Sequence, residues 1–122
     1  MLQGSFVALV TPFKYGEIDY VALERLIDFH LENGTDGIVL LGTTAEASSL
    51  ASDEREALLL FAMQKINHRV PVIIGTGSNN FSHTLADTKQ AQELGADYAL
   101  IITPYYVKPT QKGMEEYFLA IA

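Results

Sequence analysis

Cysteine is absent from this chain, and so is tryptophan. Without cysteine there is neither a disulfide framework nor a thiolate-ligated metal, and the absence fits a reducing compartment, so the expected location is the cytoplasm. Positive charge is scarce as well: 8 Lys and Arg stand against 15 Asp and Glu, for a formal net charge of -7. Nucleic acid and anionic membrane surfaces recruit concentrated basic patches, so the charge argues against both as partners. No apolar run approaches the length that crosses a bilayer, and the start, Met1-Leu2-Gln3-Gly4, has neither the basic nor the long apolar region of a signal peptide. His30, His68 and His83 lack paired-ligand spacing, and there is no GxSxG elbow. Metal centres and serine-hydrolase triads therefore find no support, and no cofactor is implied.

What the chain does have is a recurring pattern within 122 residues, 48% of them hydrophobic, which is one domain's length with material for a core. Four short apolar runs each end in a cluster of Gly, Thr, Pro or Tyr: Val7–Val10 before Thr11-Pro12, Ile38–Leu41 before Gly42-Thr43-Thr44-Ala45-Glu46, Val72–Ile74 before Gly75-Thr76-Gly77-Ser78, and Leu100–Ile102 before Thr103-Pro104-Tyr105-Tyr106. Runs that are apolar throughout, not alternating, read as strands of a parallel sheet covered by helices. Helical spacing fills the intervals. Leu23, Leu26, Ile27 and Leu31 predict a helix from near Asp19 to Asn33-Gly34. Ser52 is expected to cap a second, which has Asp53, Glu54 and Glu56 near its start and buries Leu58, Leu59, Ala62 and Ile66 before Pro71. A third, with a thinner stripe, is expected over roughly 82–94 before Gly95; a fourth places Met114, Tyr117, Phe118 and Ile121 on one face and runs to the C-terminus. The expected fold class is α/β: about four βα units, a half-barrel of the TIM (β/α)8 type, with residues 1–122 as the amino-terminal half of such a domain.

Chemistry in parallel α/β folds sits at the carboxyl ends of strands. The Gly42–Glu46 turn offers backbone N–H groups and two hydroxyls there; it reads either as a site for a small carboxylate or phosphate or as a plain strand-to-helix connection. Gly75-Thr76-Gly77-Ser78 has neither dinucleotide nor P-loop spacing and reads as a structural turn. Tyr105 and Tyr106 are adjacent, so both hydroxyls cannot face one core, and at least one is expected in a cleft or against a partner. Glu46 follows the threonine pair after Ala45 and is the one carboxylate outside the helical faces that stands beside a candidate site.

Taken in order, Gly4-Ser5 with Val10-Thr11-Pro12-Phe13, Gly42-Thr43-Thr44-Ala45-Glu46, Pro71 to Gly77, and Thr103-Pro104-Tyr105-Tyr106 with Pro109 and Gly113 resemble the amino-terminal half of the dihydrodipicolinate synthase family, in the class I aldolase superfamily. The resemblance covers the whole chain. It implies a lyase that joins pyruvate to L-aspartate semialdehyde through a Schiff base in lysine (diaminopimelate) biosynthesis, on a (β/α)8 barrel assembled as a homo-oligomer. Paired threonines favour the synthases over the N-acetylneuraminate lyases, which tend to carry Ser-Thr; a 2-keto-3-deoxy-sugar-acid aldolase shares much of the pyruvate half. By resemblance, Thr44 and its backbone bind the pyruvate carboxylate, while Thr43 and Tyr106 are catalytic members of a proton relay, Tyr106 reaching across a dimer interface. Tyr105 resembles an interface residue near the family's lysine pocket, where Asn79 is present but His83 replaces a common acidic residue. Ala45 stands where the family has glycine, which would strain the turn if that position needs positive φ. The family's Schiff-base lysine, second relay tyrosine and semialdehyde-binding arginine fall beyond Ala122. Lys14, Lys65, Lys89, Lys108 and Lys112 read as solvated charges. The chain is thus expected to need a complementary carboxyl-terminal half for activity, or else to be a non-catalytic half-barrel interaction protein. A small flavodoxin-like or phosphate-binding domain is the remaining reading of the pattern.

Overall fold

The computed structural model describes residues 1–122. In chain order the elements are β1 (Phe6–Ala8), β2 (Phe13–Lys14), β3 (Glu17–Ile18), α1 (Tyr20–Glu32), β4 (Gly37–Leu40), 3-10 turns at Thr43–Ala45 and Ala47–Ser49, α2 (Ser52–Ile66), β5 (Val72–Gly75), α3 (Phe81–Glu93), β6 (Tyr98–Leu100) and α4 (Gln111–Ile121). Four strands form one sheet in the order β1-β4-β5-β6, every pair parallel. Sequence order equals spatial order, and a helix follows each strand before the next one, as four βα units of a barrel require.

Register decides which apolar residues meet the helices. Val7 pairs with Ile38 and Ile38 with Val72; Leu40 pairs with Ile74. Ile38, Leu40, Val72 and Ile74 enter one core with Leu23 and Ile27 of α1, Leu58, Leu59, Ala62 and Ile66 of α2, and Ala91 of α3, and Val7 packs against it. The alternate row, Ala8, Val39, Ile73 and Tyr98, pairs straight across all four strands and takes no part in that core. Both rows being apolar explains why the strands do not alternate in sequence.

Helix ends follow local chemistry. The Asp19 carboxylate accepts from the Ala22 amide at 3.0 Å to open α1, and Gly34, at φ +78°, closes it. Asn80 and Thr110 cap α3 and α4 through the His83 and Gly113 amides, each at 3.1 Å. The cap of α2 is Ala51, one residue before the expected Ser52; with no acceptor on alanine, Glu54 reaches back to the Ala51 amide at 2.9 Å and supplies half of a capping box. Three of the four sheet strands begin earlier than the apolar runs imply, β5 alone starting at Val72 as expected: β6 is Tyr98–Leu100, not Leu100–Ile102, because Asp97 binds the Val72 amide at 2.8 Å and starts the pairing there. Asp36 does the same two units back, accepting from the Ser5 amide at 2.6 Å ahead of β4. The β2–β3 hairpin was not expected from the sequence. It pairs Phe13 with Ile18 across Tyr15 and Gly16, both at positive φ as a primed two-residue turn demands.

Candidate active site

The turn after β4 is built under backbone strain. Leu41 is 3% exposed at φ +54°, and Glu46 at φ +56° ends the following 3-10 turn. A non-glycine residue in the left-handed region costs about 1–3 kcal/mol and persists only where its surroundings enforce it. Ala45 is buried and not at positive φ, so the position of the family glycine is not strained by alanine, and the positive-φ residues are Leu41 and Glu46 at the two ends of the turn. Between them, the Ala45 amide donates to Gly42 at 3.1 Å and the Glu46 amide to Thr43 at 3.0 Å. Neither bond uses the amides of Thr43 and Thr44, which lie at the opening of the turn with exposed side chains.

A groove of about 860 Å³ opens at the carboxyl ends of β4, β5 and β6. Thr43, Arg55, Gly77, Ser78, Leu100 and Tyr105 are among the residues that line it. The structure thus brings Thr43 and Tyr105 to one cavity, while Thr44 and Tyr106 are not part of its wall. Tyr106 is 99% exposed at φ +67°, so the two neighbouring tyrosines do diverge, one toward the groove and one away from the chain. A smaller hollow of about 280 Å³ between α2 and α3, lined by Ser52, Asp53, Glu56 and Gln90 among others, contains none of the expected site residues.

Arg55 belongs to the site although nothing in a strand-end motif announces it. Its Nη2 donates to the Gly75 carbonyl at 2.8 Å, and its Nε lies 3.5 Å from Asp87 Oδ2, an ion pair too poorly aligned to be a hydrogen bond. With the side chain only 11% exposed, burial lowers the guanidinium pKa from its ordinary value, and the Asp87 carboxylate works against that shift. The available signal was a cation in the opening of a helix, where the dipole favours acids. Gly75 and Gly77 are required by packing. A Cβ at Gly75 would collide with the Leu41 carbonyl, and one at Gly77 with the Ile102 amide.

The glycine-rich turn after β5 is held by its own hydrogen bonds, although Gly77 and Ser78 also border the groove. Thr76 and Gly77 donate to the Leu100 carbonyl at 3.0 and 3.4 Å. Ser78 Oγ lies 3.0 Å from the Asn80 carbonyl and 3.2 Å from Thr84 Oγ1, and the Tyr117 hydroxyl reaches Thr84 Oγ1 at 2.9 Å and the Ser78 carbonyl at 3.0 Å. Four of the five lysines are open to solvent. Lys14, Lys89, Lys108 and Lys112 are exposed, and Lys65 bridges Glu24 and Asp28 at 3.0 and 3.1 Å, bonds that raise its pKa, Glu24 contributing most. The three histidines stay apart, and no group of three metal-capable side chains forms. No helix is long and apolar enough to cross a membrane.

Comparison with known proteins matches this arrangement to one family. The Dihydrodipicolinate synthetase family matches residues 1–122. The 4-hydroxy-tetrahydrodipicolinate synthase of Alkaliphilus oremlandii is 56% identical over 122 residues, which is 100% of this chain and 42% of that protein. Its counterpart in Coxiella burnetii is 52% identical over 123 residues, covering 43% of its own length. Among solved structures, dihydrodipicolinate synthase from Aquifex aeolicus superposes with a TM-score of 0.95 at 49% identity, over 98% of this chain and 41% of that one. The chloride-inhibited enzyme of Acinetobacter baumannii, complexed with pyruvate, gives 0.96 at 46% identity over 99% of this chain and 42% of its own. The chain therefore spans about two-fifths of the length of the relatives it matches. With a family match from end to end and the same half-barrel of βα units, the chain belongs to the dihydrodipicolinate synthetase family.

Proposed function

We propose that residues 1–122 supply the pyruvate-carboxylate turn and half of the proton relay of a Schiff-base lyase that condenses pyruvate with L-aspartate semialdehyde in lysine biosynthesis. The observation that carries this reading is the Thr43–Ala45 turn at the end of β4, whose internal bonds leave the Thr43 and Thr44 amides for a ligand. Convergent N–H groups and hydroxyls of this kind suit a small carboxylate. The Acinetobacter baumannii relative holds pyruvate, and the same ligand is assigned to this turn, with Thr44 on the carboxylate and Thr43 in the relay.

The reaction requires an amine that condenses with the C2 carbonyl of pyruvate and expels water, giving an iminium. Loss of a C3 proton yields an enamine, which attacks the aldehyde carbon of the semialdehyde. Hydroxyls at hydrogen-bond distance move those protons. The amine itself comes from polypeptide outside residues 1–122, since four of the five lysines here are exposed on the surface and Lys65 is tied to Glu24 and Asp28. Residues 1–122 act as the amino-terminal half of a barrel domain, completed by a complementary half. The full exposure of Tyr106 supports its assignment as a residue that serves the site of a second copy.

Mixing this chain with the carboxyl-terminal remainder of a relative should restore condensation of pyruvate with aspartate semialdehyde. Thr43→Val and Tyr106→Phe should each lower turnover roughly 10²-fold, the scale for removing an acid–base group, whereas Thr44→Val should act mainly on pyruvate affinity. Lys112→Ala, on exposed α4 surface, is the control. An active mixture indifferent to both Thr43→Val and Tyr106→Phe would overturn the assignment.

A further inference from the structure

We propose that Arg55 is a positioning residue for the threonine turn: its guanidinium clamps Gly75 against the left-handed Leu41–Gly42 backbone and thereby fixes Thr43. The inference deepens the carboxylate-turn reading and rests on it for its functional consequence. A buried leucine at φ +54° returns to an ordinary conformation unless something blocks the way. Gly75 is that block. It approaches the Leu41 carbonyl and the Gly42 amide so closely that no side chain fits between them.

The end of β5 must in turn be held down, and one side chain does so from outside the sheet. Arg55 Nη2 bonds the Gly75 carbonyl at 2.8 Å, while Asp87 on α3 stands 3.5 Å from Nε and orients the group. The residue is poorly chosen for helix stability alone. A cation near the opening of α2 opposes the helix dipole, and its buried Nε has no hydrogen-bond partner, which a well-packed apolar side chain would avoid. These two defects sit on the one side chain that joins α2, α3 and the strand end next to Thr43. A contact chain runs from Arg55 through Gly75 and Leu41–Gly42 to Thr43, with each link made by a bond or a close approach.

Solvent exchange of backbone amides, followed by NMR on the full chain, separates this role from general stabilisation. In Arg55→Met the Ala45 and Glu46 amides, whose bonds close the turn, should exchange about tenfold faster, while amides in the middle of α1 keep their rates within about twofold. Arg55→Lys retains a donor and should recover most of the protection. Asp87→Asn keeps the volume and should loosen the turn in the same direction but less, so the test survives if Arg55→Met does not fold. Pyruvate, titrated against the Thr43 and Thr44 amide signals, should bind about tenfold more weakly to Arg55→Met, since a displaced contact group loses its alignment. A uniform acceleration over the whole chain, turn amides that do not change, or Arg55→Lys behaving as Arg55→Met would each overturn the clamp. If the wild-type chain shows no response to pyruvate while Arg55→Met still loosens the turn, the carboxylate reading fails and the clamp stands.

Discussion

Thr84 is completely buried, yet it has a hydroxyl, and the polar group is tolerated because every neighbour uses it. The Ser78 amide donates to Thr84 Oγ1 at 3.0 Å, the Tyr117 hydroxyl meets it at 2.9 Å, and the Asn80 carbonyl lies 3.1 Å away. Thr84→Val preserves shape but leaves the Ser78 amide without its acceptor, so the unfolding free energy should fall by about 1–3 kcal/mol; Tyr117→Phe, which removes a half-buried partner, should cost about 1 kcal/mol. Urea titrations check both, and a midpoint unmoved by Thr84→Val would show that the cluster does not hold the turn after β5. The lysines allow a second test at this scale. With four lysines exposed and Lys65 tied to Glu24 and Asp28, borohydride reduction in the presence of pyruvate should leave the mass of this chain unchanged, and a single adduct mapped to one of them would refute the placement of the amine outside residues 1–122. The strand-end position of Thr43 and Tyr105 at one groove was legible, because both follow apolar runs, whereas the absence of Thr44 and Tyr106 from its wall was not. Arg55 and Leu41 were not. Their roles come from Gly75 and Asp87, on other elements, and no local pattern encodes a contact across strands.

At the scale of elements, the helices were readable because their signals are local. The apolar spacing of α1, with Asp19 before it and Gly34 after it, places both its ends within a residue, and Ser52 does so for the start of α2, whose end was bounded only by Pro71. Strand ends were less legible, since β pairing is fixed by the partner strand. Asp36 and Asp97 both stand immediately before a strand and bind an amide of the preceding strand's segment, so the same Gly-x-Asp device, Gly34-Thr35-Asp36 and Gly95-Ala96-Asp97, recurs in two units. The β2–β3 hairpin escaped because its strands are two residues each and its turn opens with Tyr15 in place of asparagine or aspartate. The device predicts an asymmetry. Asp97→Ala strands the amide of Val72, which is 2% exposed, and should destabilise the chain by about 1–3 kcal/mol; Asp97→Asn keeps an acceptor and should cost less. Equal denaturation midpoints for the two variants would assign the effect to something other than this bond.

Across the whole molecule, the same pairing that directs Ile38, Leu40, Val72 and Ile74 to the helices leaves a second apolar row outside that core, with Ile73 buried but its members toward β6 open. Tyr98 and Leu100 on β6 are 43% and 50% exposed, and Ile102 just beyond is 44% exposed. The strands β1 and β6 each pair on one side only, so the sheet also presents two backbone edges with unused donors and acceptors. An uncovered apolar face next to a free strand edge drives association, because water satisfies neither as well as another chain does. The chain should therefore form a dimer or higher oligomer at micromolar concentration, detectable by sedimentation velocity. Leu100→Lys places a charge on the exposed edge strand, away from the main core, and should shift the population toward monomer without lowering helix content by circular dichroism. Adding a complementary carboxyl-terminal half should compete with self-association for the same edge, so the oligomer should give way to a one-to-one complex as that half is titrated in. A wild-type chain that sediments as a compact monomer and unfolds in one cooperative transition would mean that the inner face is stable in water, contrary to this account.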